Sequence, residues 1–178
     1  PDSKYYLEFM ELYKNQDGCT SIEDRKRFAK YAFATSSHYD GMIYDWFAKD
    51  DEVADLNIHI DSRSELRYGE NPHQKAAFYG KLDEVFEKLH GKDLSYNNLL
   101  DLEAGLNLIR EFDEPTFAIL KHNNPCGIAS RPTIAEAYQA ALAGDPVSAS
   151  RGVLVSNKAS DVETANEIHN MFFEVIVA

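Results

Sequence analysis

The densest chemistry in this 178-residue chain lies in Lys121-His122-Asn123-Asn124-Pro125-Cys126-Gly127. A lysine supplies a cation and a histidine a base that titrates near neutrality, so the pair can take a proton and stabilise a developing anion. Asn123 and Asn124 add amide donors and acceptors. The run follows Thr116-Phe117-Ala118-Ile119-Leu120, which is apolar almost throughout, as a strand covered on both faces would be. Ligands bind beyond the ends of such strands in open α/β sheets. Pro125 and Gly127 are expected to fix the turn after the strand. Taken by itself, the run equally fits a polar loop leaving a strand.

Two further segments have binding character. In Leu66-Arg67-Tyr68-Gly69-Glu70-Asn71-Pro72-His73-Gln74, six side chains able to hydrogen-bond fall within the eight positions 67–74. An arginine beside a tyrosine can hold a phosphate and stack a heterocycle, although polar connectors are common. In Ala143 to Gly152 small residues would let backbone amides approach a ligand, and Gly144-Asp145-Pro146 also explains a plain helix-to-strand turn. Pro125-Cys126 prompts a zinc test. Zinc deaminases use P-C-x-x-C with a distant H-x-E, but Ala129 holds the second cysteine position and no H-x-E occurs, so no metal is expected. The spacing permits a Cys126/His122 nucleophile pair, with no orienting partner evident. G-x-G-x-x-G and P-loop patterns are absent from the sequence.

The elements that must position these residues begin with a helical segment over 1–50. Tyr6, Phe9, Met10 and Tyr13 form one helix face, and Gly18 breaks it. Thr20-x-x-Glu23 predicts a capping box for a second helix carrying Phe28, Tyr31, Ala32 and Thr35. Ser37 and Asp40 suit the start of a third, with a core or interface stripe of Tyr39, Met42, Ile43, Trp46 and Phe47. Lys49-Asp50-Asp51-Glu52 marks the boundary to a second region, 51–178. There, alternation predicts a strand at Leu56–Ile60, a loop over 61–72 and a short strand at 76–79. Leu99, Leu102, Leu106 and Ile109 make a helix face, Thr133-x-x-Glu136 opens another helix, and Ser160-x-x-Glu163 a third that carries Ile168 and Phe172. Strands are expected at 116–120, 153–155 and 175–178. This rhythm is that of an α/β layered domain. The apolar strand at the very end reads as a fold cut short, and so as a fragment.

Composition bounds the class. The net charge of −12, without a basic run, argues against nucleic acid as a partner. Two cysteines, Cys19 and Cys126, are too few for a disulfide scaffold and fit a reducing, cytoplasmic setting. No stretch approaches the ~18 apolar residues of a membrane helix. Pro1-Asp2-Ser3-Lys4 leads into an amphipathic pattern rather than a signal peptide.

In order and spacing, L-R-Y-G-E-N-P-H-Q (66–74), L-S-Y-N-N-L-L-D (94–101), K-H-N-N-P-C-G (121–127), D-P-V-S-A (145–149) and F-F-E-V-I-V-A (172–178) resemble one family. It is the bifunctional purine-biosynthesis family, which joins aminoimidazole carboxamide ribonucleotide (AICAR) transformylase to inosine monophosphate (IMP) cyclohydrolase. Arg27-Phe28-Ala29-Lys30-Tyr31-Ala32-Phe33-Ala34 is similar to the helical tail after its cyclohydrolase domain, and 51–178 to the first part of its transformylase domain. The resemblance implies a cytidine-deaminase-like α/β fold without zinc. It implies Lys121 and His122 as the catalytic pair, and Arg67, Tyr68, Asn123, Arg151, Gly152 and Glu174 as substrate-binding residues. It further implies AICAR as substrate, 10-formyltetrahydrofolate as cosubstrate, and a homodimer with shared sites. One departure stands out: the family reads S-A-F-G-G where this chain has Ser148-Ala149-Ser150-Arg151-Gly152. With the cyclohydrolase domain and second transformylase half outside it, the chain is expected to be inactive alone. Two alternatives remain at this stage: a non-catalytic α/β nucleotide-binding or assembly domain, and a deaminase-like hydrolase using Cys126.

Overall fold

A computed structural model describes residues 2–53 and 55–178. The chain divides into two compact units, 1–61 and 62–178.

In the first unit, α1 (Tyr6–Asn15) follows a 3-10 turn at Ser3–Tyr5. It ends before Gly18, whose φ of 76° lets its N–H reach back to the Tyr13 carbonyl. α2 is a single helix over Ile22–Phe47, where the sequence pattern predicts two. Its capping box uses Ser21 and Asp24, one residue beyond the expected Thr20 and Glu23: the Asp24 N–H donates to Ser21 Oγ and the Ser21 N–H to Asp24 Oδ2, both at 3.0 Å. Polar residues inside α2 do not start a new helix because they bond to its own backbone. Thr35 Oγ1 donates to the Tyr31 carbonyl and Ser36 Oγ to that of Phe33. Phe9 packs edge-on against Phe28, and Tyr5 stacks on Tyr31 at 4.1 Å. The stripe from Tyr39 to Phe47 is exposed. The strand expected at Leu56–Ile60 does not form. Alternation without a partner strand makes no ladder, and the segment instead meets α2 through the Asp55 N–H on Tyr44 Oη (2.8 Å) and the His59 ring on His38.

The second unit is mixed α/β. A small antiparallel pair, β1 (Arg63–Glu65) and β2 (Ala77–Tyr79), occupies part of the expected 61–72 loop and the expected short strand. α3 (Tyr96–Ile109) leads into the main sheet, whose order is β4-β3-β5-β6. β3 (Thr116–Lys121) pairs antiparallel with both β4 (Asn124–Ser130) and β5 (Val153–Ser156), and β6 (Val175–Val177) runs parallel to β5. Side chains alternate across the sheet. Phe117, Ile119 and Leu154 pack with α4 (Ile134–Leu142) and α6 (Val162–Ile168), while Ala118, Leu120, Val153 and Val155 pack under α3. Helices therefore cover both faces, which is why β3 is apolar on each. The short α5 (Pro146–Ala149) is capped by Asp145, with Pro146 at its first position. α6 starts one residue later than the Ser160 cap predicts, because the Asp161 carboxylate accepts the Thr164 N–H at 2.8 Å; Phe172 lies beyond its end. Among the described residues no helix is long and apolar enough to cross a membrane.

Candidate functional site

Lys121 closes β3 and Asn124 opens β4, directly paired. Between them His122 (φ 53°) and Asn123 (φ 63°) both adopt the left-handed conformation of a two-residue type I′ hairpin turn. The expected polar loop is thus a hairpin tip, and Pro125 and Gly127 do not make its turn. They belong to β4, an edge strand, where a proline is tolerated. The register shifts there: Ile119 faces Gly127 and Leu120 faces Pro125, leaving Cys126 as the extra residue of a bulge. Gly127 serves packing, since a Cβ on it would run into the Ala141 carbonyl oxygen of α4.

His122 and Asn123 are exposed, and Lys121 is half-buried. The Asn123 N–H donates to Asp101 Oδ1 of α3 at 2.6 Å. The Asn123 amide nitrogen, in the orientation that satisfies both atoms of its amide, reaches Asp101 Oδ1 and the Leu100 carbonyl at 3.2 Å each.

The antiparallel pairing of β3 with β5, and the parallel pairing of β5 with β6, bring the beginnings of β5 and β6 to this same end of the sheet. Lys121 Nζ donates to the Ser150 carbonyl at 3.0 Å. Gly152 is buried, and a Cβ there would lie 2.8 Å from the Leu120 carbonyl oxygen. Arg151 is exposed, with φ 64°. The Glu174 N–H donates to the Gly152 carbonyl at 3.0 Å. Glu174 Oε2 lies 3.7 Å from Arg67 Nη2, and the Arg67 guanidinium sits 4.9 Å above the Tyr68 ring. Main-chain bonds from Arg67 to Leu94 and from Tyr96 to Tyr68 hold this pair beside the start of α3. A partly exposed ion pair of this kind contributes only about 0–1 kcal/mol, so Arg67 can exchange Glu174 for an anionic ligand at little cost.

All the expected site residues therefore line one end of the sheet. The second unit also has two concave regions. One is a groove of about 470 Å³ lined by Tyr138, Leu142, Glu167 and Met171 among others; the second is bordered by Gly69, Gln74 and Tyr96; neither is lined by an expected site residue. Cys126 is poorly suited to be a nucleophile. Burial pushes its thiol pKa up, Asp145 adds to that, and Lys121 opposes both without overcoming them. Its side chain packs against the α4 core. Among the described residues, no three His, Cys, Asp or Glu side chains come together as a metal site would need.

Residues 1–178, the whole chain, match the family described as AICARFT/IMPCHase bienzyme. The chain belongs to that family. It is 51% identical over 97% of its length to the bifunctional purine biosynthesis protein PurH of Bacteroides thetaiotaomicron. It is 44% identical over 99% to the protein of that name from Rhodospirillum rubrum, and 40% over 99% to that from Chlorobium phaeobacteroides. The chain spans about a third of the length of these relatives (34%, 35% and 36%). The motifs in sequence order point to the residues gathered at the sheet end but not to Asp101 as their neighbour. The Ser95-x-x-Asn98 capping box fixes where α3 starts but carries no signal of this contact.

Proposed function

We propose that the chain is part of a bifunctional enzyme of de novo purine synthesis, which transfers a formyl group from 10-formyltetrahydrofolate to the 5-amino group of AICAR. The observation that carries this reading is the meeting of Lys121, His122, Arg67, Tyr68, Gly152 and Glu174 at one sheet end in a chain of this family. The AICAR amine is a poor nucleophile, because its lone pair is delocalised into the ring and carboxamide. His122 takes its proton as the nitrogen attacks the formyl carbon. The tetrahedral intermediate carries an oxyanion, which the Lys121 ammonium stabilises, or Lys121 protonates the leaving folate nitrogen. Arg67, Tyr68, Asn123, Arg151, Gly152 and Glu174 hold the nucleotide.

In this reading the mixed sheet with helices on both faces is the first part of a cytidine-deaminase-like layer without zinc. Residues 1–50 are the helical segment after a cyclohydrolase domain, and 51–178 are the start of the transformylase domain. The complete protein works as a cytoplasmic homodimer and also cyclises formyl-AICAR to IMP. The 178-residue chain does not turn over alone.

The test is formyl transfer by the full-length protein carrying Lys121→Ala or His122→Ala. Each loses most of the formyl-transfer rate, a general-base contribution being about 10²–10⁴-fold, while cyclohydrolase activity persists. Near-normal formyl transfer in either variant would overturn the assignment.

A further inference from the structure

We infer that Asp101 is the positioning residue that holds the Lys121-His122-Asn123 turn in its working geometry; this rests on the formyl-transfer reading above. A type I′ turn favours Asn-Gly because both central residues need positive φ. Here the two places hold His122 and Asn123, neither of them glycine. Such backbone persists only where the surroundings over-determine it. Asp101 supplies that constraint from another element. Its carboxylate accepts the Asn123 N–H at 2.6 Å, a short charge-assisted bond, and the Asn123 side-chain amide reaches the same oxygen.

The helix that carries Asp101 is itself well anchored. A buried capping box of Ser95 and Asn98 fixes its start, with the Ser95 N–H donating to Asn98 Oδ1 at 3.0 Å. Leu102, next to Asp101, is 1% exposed. One turn on, Gly105 lets the helix lie so close to the sheet that a Cβ would come 2.7 Å from Val155 Cγ2 and 3.1 Å from Leu120 Cδ1. Leu120 is the residue before Lys121, so the helix grips the strand beneath the turn as well as its tip. A base and a cation act only when held close to their reaction geometry. Asp101 transmits the rigidity of α3 to both without touching the substrate.

The test uses the full-length protein with Asp101→Ala and Asp101→Asn, measuring kcat and KM for formyl transfer, cyclohydrolase activity on the same preparations, and hydrogen exchange at the Asn123 amide. A misplacement of about 1 Å costs roughly 100-fold, so Asp101→Ala is expected to lower kcat about 10- to 100-fold with KM for AICAR little changed. Asp101→Asn keeps an oxygen for the Asn123 N–H and recovers most of the rate. Cyclohydrolase activity stays constant, and the Asn123 amide exchanges faster in the alanine variant alone. Normal kcat with Asp101→Ala would overturn the inference. So would no recovery with Asp101→Asn, or a parallel loss of both activities, which marks a folding role. If the unaltered protein formylates no AICAR, the functional reading fails, and the exchange at Asn123 still decides whether Asp101 holds the turn.

Discussion

Arg151 has the backbone of a glycine. Its φ of 64° lies in the left-handed region, where a Cβ crowds the neighbouring carbonyl at about 1–2 kcal/mol. The family pattern has glycine at this place, and the structure gives the physical reason. The loop must turn sharply so that the Arg151 N–H reaches the Phe172 carbonyl (2.8 Å) and the next residue, Gly152, can lie against the Leu120 carbonyl. Arg151→Gly should therefore raise unfolding free energy by roughly 0.5–1 kcal/mol, the strain relieved less the extra freedom glycine gains in the unfolded chain. Urea unfolding monitored by circular dichroism measures it. A lower midpoint would mean that the Arg151 side chain makes contacts outweighing the strain. Lys121, whose Nζ holds the Ser150 carbonyl next door, ties this loop to the β3–β4 hairpin.

At the scale of elements, the hairpin depends on how closely β4 meets α4. Gly127→Ala would press a methyl into the Ala141 carbonyl, a backbone atom that moves only if the helix end or the strand moves. Overpacking of that kind costs about 3 kcal/mol, and the strand that shifts begins at Asn124, the partner of Lys121. Thermal unfolding should fall steeply, and unchanged stability would mean that β4 and α4 part freely. This strand was also the least legible element. Its apolar residues are interrupted by a bulge at Cys126 and by Pro125, so no period of two survives. Helices α3 and α4 and strands β3 and β5 were legible, because burial on one stripe or on both faces writes a regular pattern. Alternation at Leu56–Ile60 misled for the converse reason: the pattern of a strand is there without a partner. The site shows the same division. Lys121, His122 and Arg67 stand out by residue type, and Glu174 only through the family resemblance of F-F-E-V-I-V-A (172–178). The bonds from Lys121 Nζ to the Ser150 carbonyl and from the Asn123 N–H to Asp101 Oδ1 each join a side chain to main chain distant in sequence, which leaves no spacing to read.

For the molecule as a whole, burial is distributed unevenly between the two units. Among the described residues of 1–61, Ala48 alone is buried, and its aromatic pairs lie at or near the surface. Both core clusters draw every member from residues 86–177. Folding free energy comes mainly from apolar area removed from water, so cooperativity should reside in 62–178, which is also where every proposed site residue lies. Residues 62–178 produced alone should unfold in one sharp transition, with a midpoint within about 5 °C of that of the 178-residue chain, a shift that about 1 kcal/mol produces in a domain of this size. Residues 1–61 alone should lose helical circular dichroism gradually on heating, without a cooperative step, because isolated helices gain little without a packed face. A sharp transition in 1–61, or collapse of 62–178 without it, would place a substantial part of the folding energy in the aromatic pairs of α1 and α2.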